Sequence, residues 1–153
     1  MKLRTIFIVL IFTAPLMFCS PAAKTNGETQ KMVDEFFKAY KIAGHKDAVT
    51  SFLGKNKWIT NDDANKVGTQ IDEIVSQVGR YYGQEKVSEN YYGESVIQYI
   101  YLVRYERQPL KFIFRFYKPN DKWGMQSFNY EIDFMKELDE AGKASRFKEN
   151  TSH

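Results

Sequence analysis

The sequence predicts an α+β domain in which N-terminal helices pack on a curved antiparallel sheet of about four strands, followed by a short C-terminal helix. Three observations support this fold class. Apolar residues recur at helical spacing up to Val78, the period changes to two after Gly79, and aromatic and β-branched residues are frequent from there onward. At 153 residues, the chain has the length of one domain with a single core.

The first 22 residues are predicted to be a secretory signal peptide that lies outside the folded domain. Lys2 and Arg4 precede an almost wholly apolar run from Ile6 to Phe18, and small residues follow that run. The run is shorter than the roughly 20 apolar residues of a membrane-spanning helix. The pattern therefore indicates export and not a membrane span.

The end of this signal is open between two alternatives. Cleavage after Ala22 is favoured by the small residues Ser20 and Ala22. A lipoprotein signal would instead end at residue 18 and leave Cys19 as the lipid attachment site; Leu16 fits such a signal, whereas Phe18 stands where a small residue is usual. The predicted location is periplasmic or, as a lipoprotein, membrane-anchored, alternatively secreted, in a bacterial host, with membrane contact only through the anchor.

Charge and composition exclude several partners and sites. The chain carries 22 Lys and Arg against 19 Asp and Glu, a formal charge of +3 that falls to +1 when Lys2 and Arg4 leave with the signal. A nearly neutral protein gives no electrostatic reason to expect a nucleic-acid partner. Cys19 is the only cysteine, so no disulfide forms within the chain. Because the predicted domain has His45 as its one histidine and no cysteine, no metal site of the histidine and cysteine kind is predicted. No cofactor is predicted either.

Residues 23–27 are predicted to form a polar linker, and a single domain is expected over residues 28–142. Thr25 and Glu28 have the spacing of a capping box, and a first helix is predicted from there to Gly44. The apolar residues of this helix recur at i, i+3, i+4 and i+7. They are Val33, Phe36, Phe37 and Tyr40.

Two more helices are predicted before the strands. The second is short, with Asp47 as its N-cap and Gly54 as its stop, and it buries Ala48, Val49, Phe52 and Leu53. The third has the most regular pattern of the chain, with a capping residue within 60–62 and an end at Gly79. Its apolar face consists of Ala64, Val67, Ile71, Ile74, Val75 and Val78.

The remainder is predicted to form strands and one closing helix. The strands are a weak one within Tyr81–Asn90, and then Ser95–Glu106, Leu110–Tyr117 and Lys122–Ile132. Turn residues near Gly93 and at Pro119–Asp121 separate them. The closing helix is predicted from Phe134 to Gly142, and residues 143–153 are expected to form a flexible tail.

The hairpin between the second and third strands has a predicted register. An even-numbered loop centred on Arg107 and Gln108 pairs Tyr105 with Leu110, Val103 with Phe112, Tyr101 with Phe114, and Tyr99 with Phe116. This face is predicted to meet the helices, and the same parity adds Ser127 and Asn129 to it. The other face is predicted to be largely solvated and to serve as a partner or homodimer surface. Its apolar residues are Ile100, Leu102, Ile113, Phe128 and Tyr130.

Two segments resemble the nuclear transport factor 2-like superfamily, which has a cystatin-like fold. Residues 36–48, from Phe36-Phe37-Lys38-Ala39-Tyr40 through Gly44 to Asp47-Ala48, are similar to its first helix, break and second helix. Residues 114–123, Phe114-Arg115-Phe116-Tyr117-Lys118-Pro119-Asn120-Asp121-Lys122-Trp123, are similar to its aromatic hairpin with a Lys-Trp pair. The resemblance covers residues 28–132. It implies a cone-like sheet with an internal pocket, in a superfamily of enzymes, ligand carriers and interaction modules.

A pocket inside such a cone would combine aromatic rings with a few hydrogen-bonding groups. The predicted ligand-binding residues are Tyr40, Tyr99, Tyr101, Phe114, Ser127 and Asn129. No catalytic set is recognised, because His45, the one histidine of the domain, is expected to be exposed at a helix terminus. The predicted function is an exported non-catalytic module that binds a small apolar or aromatic molecule or a partner protein. The alternative is an acid/base enzyme of isomerase, cyclase or dehydratase type that uses Tyr40 with His45 or a carboxylate.

Overall fold

The computed structural model describes residues 27–137 and 139–140, and it confirms the α+β fold class. Within these residues, three helices precede an antiparallel sheet of four strands in sequential order, and a short helix follows over 134–137 and 139–140. The predicted signal peptide, Cys19 and the predicted tail lie outside the described residues. The elements are α1 (Gly27–Ile42), α2 (His45–Leu53), α3 (Asn61–Val78), β1 (Tyr81–Tyr92), β2 (Val96–Tyr105), β3 (Leu110–Tyr117) and β4 (Gly124–Glu131).

The start of α3 follows the prediction, whereas the start of α2 does not. Thr60 is the N-cap of α3, and its Oγ1 accepts a hydrogen bond from the Asp63 backbone N at 3.1 Å. The prediction that Asp47 caps α2 is wrong, because the helix begins at His45, directly after Gly44. Gly44 has a φ of 103°, a conformation that favours glycine. The chain therefore turns from α1 directly into α2, and the helix begins before Asp47.

The helices α2 and α3 pack closely at Gly68. A Cβ atom at this position would lie 2.5 Å from Thr50 Oγ1 and 2.8 Å from the Lys46 carbonyl oxygen. Both distances are shorter than van der Waals contact, and the Lys46 oxygen belongs to the helix backbone, which cannot move as a side chain can. The absence of a side chain at Gly68 therefore sets the distance between these two helices.

The register between β2 and β3 differs from the predicted one by two residues. Val103 pairs with Leu110 and Tyr101 with Phe112, so the four predicted couples are wrong in detail. The reason is that β2 stops pairing with β3 after Val103. The backbone N atoms of Glu106 and Arg107 instead donate to the carbonyl oxygens of residues 80 and 78, each at 3.0 Å. A shift of two residues preserves the faces. All eight residues of the predicted helix-facing set are buried: Tyr99, Tyr101, Val103, Tyr105, Leu110, Phe112, Phe114 and Phe116.

A bulge in β4 reverses the predicted faces of its C-terminal half. Arg115 pairs with Ser127 and Phe116 with Met125, so Gln126 is an extra residue in β4. Ser127 and Asn129 consequently lie on the face away from the helices, and their predicted place on the helix-facing side is wrong. Because of the same bulge, two residues that were predicted to face away from the helices face them instead. These residues are Phe128 and Tyr130.

The core between the helices and the sheet is built mainly from aromatic rings. Phe36 of α1 is central: its ring centroid lies 5.1 Å from that of Phe114 and 5.5 Å from that of Phe128. Most of the pairs around it meet edge to face, a geometry worth about 0.5–1.5 kcal/mol per pair beyond area burial. Rings that lie within 6.5 Å of Phe36 are Phe37, Tyr40, Phe52, Phe112, Phe114 and Phe128.

The outer face of the sheet is less solvated than predicted. Ile113 and Lys111 of β3 are buried there, as is Gln98 of β2. With its amide oriented to satisfy all partners, Gln98 accepts hydrogen bonds from Arg115 Nη2 at 3.1 Å and Nε at 3.2 Å, and Asn129 accepts one from Arg115 Nη1 at 2.9 Å. A row of paired polar side chains therefore crosses three strands on the outer face of the sheet.

Candidate functional site

The helix-facing residues of the predicted pocket are packed in the core. Tyr40, Tyr99 and Phe114 are at most 1% exposed, and Tyr101 is buried beside Phe37 with 5.0 Å between ring centroids. Phe114 contacts rings of both α1 and α2. The structure thus brings these four residues together, but as parts of an aromatic core and not as the lining of the pocket described below.

The hydroxyl groups of these tyrosines have partners. Tyr99 and Thr29 share a hydrogen bond of 2.7 Å between their side-chain oxygens, and Tyr101 accepts one from Gln30 Nε2 at 2.9 Å. Tyr40 and Tyr105 hydrogen-bond to each other through their hydroxyl groups. Burial raises the pKa of Tyr99 to about 12, against the opposing effect of its bond to Thr29, and burial also raises the pKa of Tyr40. Both groups keep their protons near neutral pH.

His45 lies closer to Tyr40 than the sequence suggested. It is the first residue of α2, its ring centroid is 4.7 Å from that of Tyr40, and its Nδ1 lies 3.6 Å from Asp72 Oδ1. The side chain of His45 is 28% exposed, so the predicted exposure is only partial. Exposure to solvent decreases from Asp72 through His45 to Tyr40, so a solute reaches Asp72 and part of His45 but not Tyr40.

A surface pocket of about 490 Å³ lies between α1 and the start of β1, and we call it the α1–β1 pocket. Its volume is in the range of small-molecule sites, about 300–1,000 Å³. Four of its residues come from α1 and four from β1. They are Asp34, Phe37, Lys38, Lys41, Tyr81, Tyr82, Gly83 and Gln84.

A β-bulge shapes the β1 side of this pocket. Tyr81 pairs with Tyr105 and Gly83 with Arg104, so Tyr82 is an extra residue in β1. Gly83 has a φ of 134°, which favours glycine, and the bulge leaves Tyr82 57% exposed. The Tyr81 ring packs on those of Tyr40 and Tyr105, at 5.6 and 5.8 Å between centroids. The bulge therefore joins the pocket wall to the tyrosine cluster of the core.

The charged groups of the α1–β1 pocket favour an anion. Lys38 and Lys41 are exposed on α1, and Asp34 is the one carboxylate among the lining residues that the structure describes. A hydrogen bond of 2.8 Å from Gln30 Nε2 to Asp34 Oδ1 engages that carboxylate. The lining thus combines two lysines with the half-buried ring of Tyr81 and the exposed ring of Tyr82, a combination that suits a planar molecule with a negative charge.

This pocket was not predicted from the sequence, although Gly83 is a signal for it. A single glycine inside a strand pattern often marks a bulge, and Gly83 lies within the predicted weak strand of Tyr81–Asn90. No cluster of three or more histidine, cysteine, aspartate or glutamate side chains that could hold a metal ion occurs within residues 27–137 and 139–140. No helix in this part of the chain is long and apolar enough to cross a membrane.

Comparison with models of known protein families gives no match for this chain. No curated protein matches its sequence significantly. The resemblance of residues 36–48 and 114–123 to the nuclear transport factor 2-like superfamily therefore stays a prediction, and the assignment of function depends on the geometry described above.

Proposed function

We propose that the chain is an exported, non-catalytic binding module that takes a small aromatic anion in the α1–β1 pocket. The observation that carries this proposal is that Lys38, Lys41 and the exposed ring of Tyr82, at the bulge of β1, line the same pocket. The rings would contact the flat faces of the ligand, and the ammonium groups would pair with its charge. This refines the small apolar or aromatic ligand that the sequence predicts.

A binding role is favoured over acid/base catalysis by the state of the buried tyrosines. The raised pKa of Tyr40 keeps it protonated, so it does not act as a base near neutral pH. Its hydroxyl is occupied by Tyr105, and a substrate would reach only the outer part of His45. The α1–β1 pocket, in contrast, is open without any rearrangement of the core.

The test is a titration of the isotope-labelled full chain with indole-3-acetate, followed by amide NMR shifts. The uncharged analogue indole-3-acetamide is the ligand control, because it keeps the ring and removes the charge. We expect indole-3-acetate to shift the amides of residues 81–84 and of Lys38 and Lys41, and to bind more tightly than the amide. Shifts scattered over the molecule, or equal affinity for both ligands, would contradict the proposal.

Substitution of both pocket lysines tests the role of charge. A Lys38→Gln/Lys41→Gln variant should bind indole-3-acetate about tenfold more weakly, because two exposed ion pairs contribute up to about 1 kcal/mol each. The matched control is Lys31→Gln/Lys66→Gln, which removes the same charge from exposed helix positions outside the pocket. We expect the control to bind as the parent chain does.

A further inference from the structure

One end of the molecule, which we call the turn end, brings together three connections that are distant in sequence. They are the α2–α3 connection (residues 54–60), the β1–β2 turn (93–95) and the β3–β4 turn (118–123). Asn56 Nδ2 donates to the Gln126 carbonyl oxygen at 3.2 Å, which ties the first connection to the start of β4. The Lys118 backbone N donates to the Ser95 carbonyl oxygen at 2.8 Å, which joins the two turns.

The helix α1 also begins at the turn end. Thr29, near its start, bonds to Tyr99 in the first half of β2, whereas Tyr40, near its end, bonds to Tyr105 at the last residue of β2. The helix therefore runs in the same direction along the sheet as β2. Since β2 starts at the turn end, the first described residue, Gly27, belongs to this end too.

Both tryptophans of the chain lie at the turn end, each with a lysine over its ring. Lys57 Nζ is 4.8 Å from the ring centroid of Trp58, and Lys118 Nζ is 5.3 Å from that of Trp123. Trp58 is 82% exposed, the most exposed large apolar side chain among the described residues. Its backbone N donates to Asn56 Oδ1 at 3.0 Å, and Asn56 is itself buried, so a fixed loop presents this ring to solvent.

The three connections themselves are more basic than acidic. They carry four lysines, Lys55, Lys57, Lys118 and Lys122, against the two carboxylates of Glu94 and Asp121, and Lys55 also lies 3.8 Å from Glu35 Oε2. Tryptophan rings favour the boundary between lipid headgroups and acyl chains, and each lysine near an anionic lipid surface contributes about 1 kcal/mol. We propose that the turn end docks directly on a membrane surface that contains anionic lipids, with Trp58 at the headgroup level.

The test uses the full chain and vesicles of phosphatidylcholine with or without phosphatidylglycerol. Because the chain has only two tryptophans and both lie at the turn end, their fluorescence reports on this end alone. We expect brominated lipids to quench the emission in vesicles with phosphatidylglycerol, and added salt to reverse the quenching. The residues before α1 are present in every variant, so a difference between variants reports on the turn end.

Two variants and one control make the result specific. Lys55→Gln/Lys57→Gln should weaken binding to the anionic vesicles by at least about fivefold, and Trp58→Ser should remove most of the quenching. Because Trp58 is exposed, circular dichroism of that variant should match the parent. The control Lys46→Gln/Arg80→Gln removes the same charge from exposed positions at the opposite end, outside the α1–β1 pocket, and should bind normally. Tryptophan emission that stays unquenched, or an equal loss of vesicle binding in the control variant, would overturn the proposal. The exposed Trp58 would then be assigned to a contact with another protein.

Discussion

The hydroxyl groups of Tyr40 and Tyr105 depend on each other inside the core. Both side chains are buried, and each hydroxyl bonds to the other. Replacement of one tyrosine by phenylalanine leaves the other hydroxyl without this partner away from water, which costs about 1–3 kcal/mol. We therefore expect Tyr40→Phe to lower the free energy of unfolding by about 1–3 kcal/mol, measured by urea denaturation.

The double variant separates the hydrogen bond from the effect of packing. Tyr40→Phe/Tyr105→Phe removes both hydroxyls together, so it should be less destabilised than the sum of the single variants. Tyr82→Phe is a matched control, since its hydroxyl belongs to an exposed side chain of the α1–β1 pocket. If Tyr40→Phe were as stable as this control, the buried pair would not contribute to stability.

At the scale of elements, regular segments were predictable and irregular ones were not. The strand β3 has its predicted bounds, and the capping residue of α3 lies in the predicted range, because short-range spacing determines both. The bulges at Tyr82 and Gln126 each add one residue to a strand; Gly83 marks the first one in the sequence, whereas no glycine lies next to Gln126. Each bulge exchanges the faces beyond it, which is why the placement of Ser127 failed and the α1–β1 pocket was missed.

The short helix after β4 is held to the sheet by one lysine. Lys111 Nζ lies 2.7 Å from Glu131 Oε2 and 2.8 Å from Glu137 Oε2. Burial lowers the pKa of Lys111, but its bonds to Glu131 and Glu137 outweigh burial and raise it overall, and the bond to Lys111 lowers the pKa of Glu137. Lys111→Met should therefore increase hydrogen exchange in residues 134–137 while the sheet stays protected.

The pKa shifts determine the pH dependence of this contact. Since the pKa of Glu137 is lowered by folding, its contribution is present above the ordinary glutamate pKa and is lost as the pH falls through the folded value. Because the pKa of Lys111 is raised by folding, its contribution to stability is lost only at strongly alkaline pH. We expect the protection factors of this helix, which are corrected for the intrinsic pH dependence of exchange, to fall in acid in the parent chain but not in Lys111→Met. An equal acid response in both chains would contradict this origin.

At the scale of the whole molecule, the α1–β1 pocket and the turn end lie at opposite ends. The pocket is lined by the second half of α1 and the first residues of β1, whereas the turn end has the start of α1 and the last residues of β3. If the turn end meets a membrane, the pocket opens away from it. A ligand could then enter from the aqueous side without displacing the lipid contact.

The lipid anchor on Cys19 stays a prediction, and such an anchor would bring the turn end to the membrane. If the signal ends at residue 18, only the seven residues 20–26 separate Cys19 from α1, and they span at most about 25 Å. An acylated Cys19 would thus hold the start of α1, and with it the turn end, near the lipid surface.

We expect the chain from a bacterial host to lack residues 1–18 and to carry acyl mass on Cys19, as measured by intact mass spectrometry. Cys19→Ser should move the protein from the membrane to the aqueous fraction, because the turn end alone binds weakly and reversibly. A mature chain that begins at Ala23 would contradict the anchor and leave membrane contact to the turn end alone.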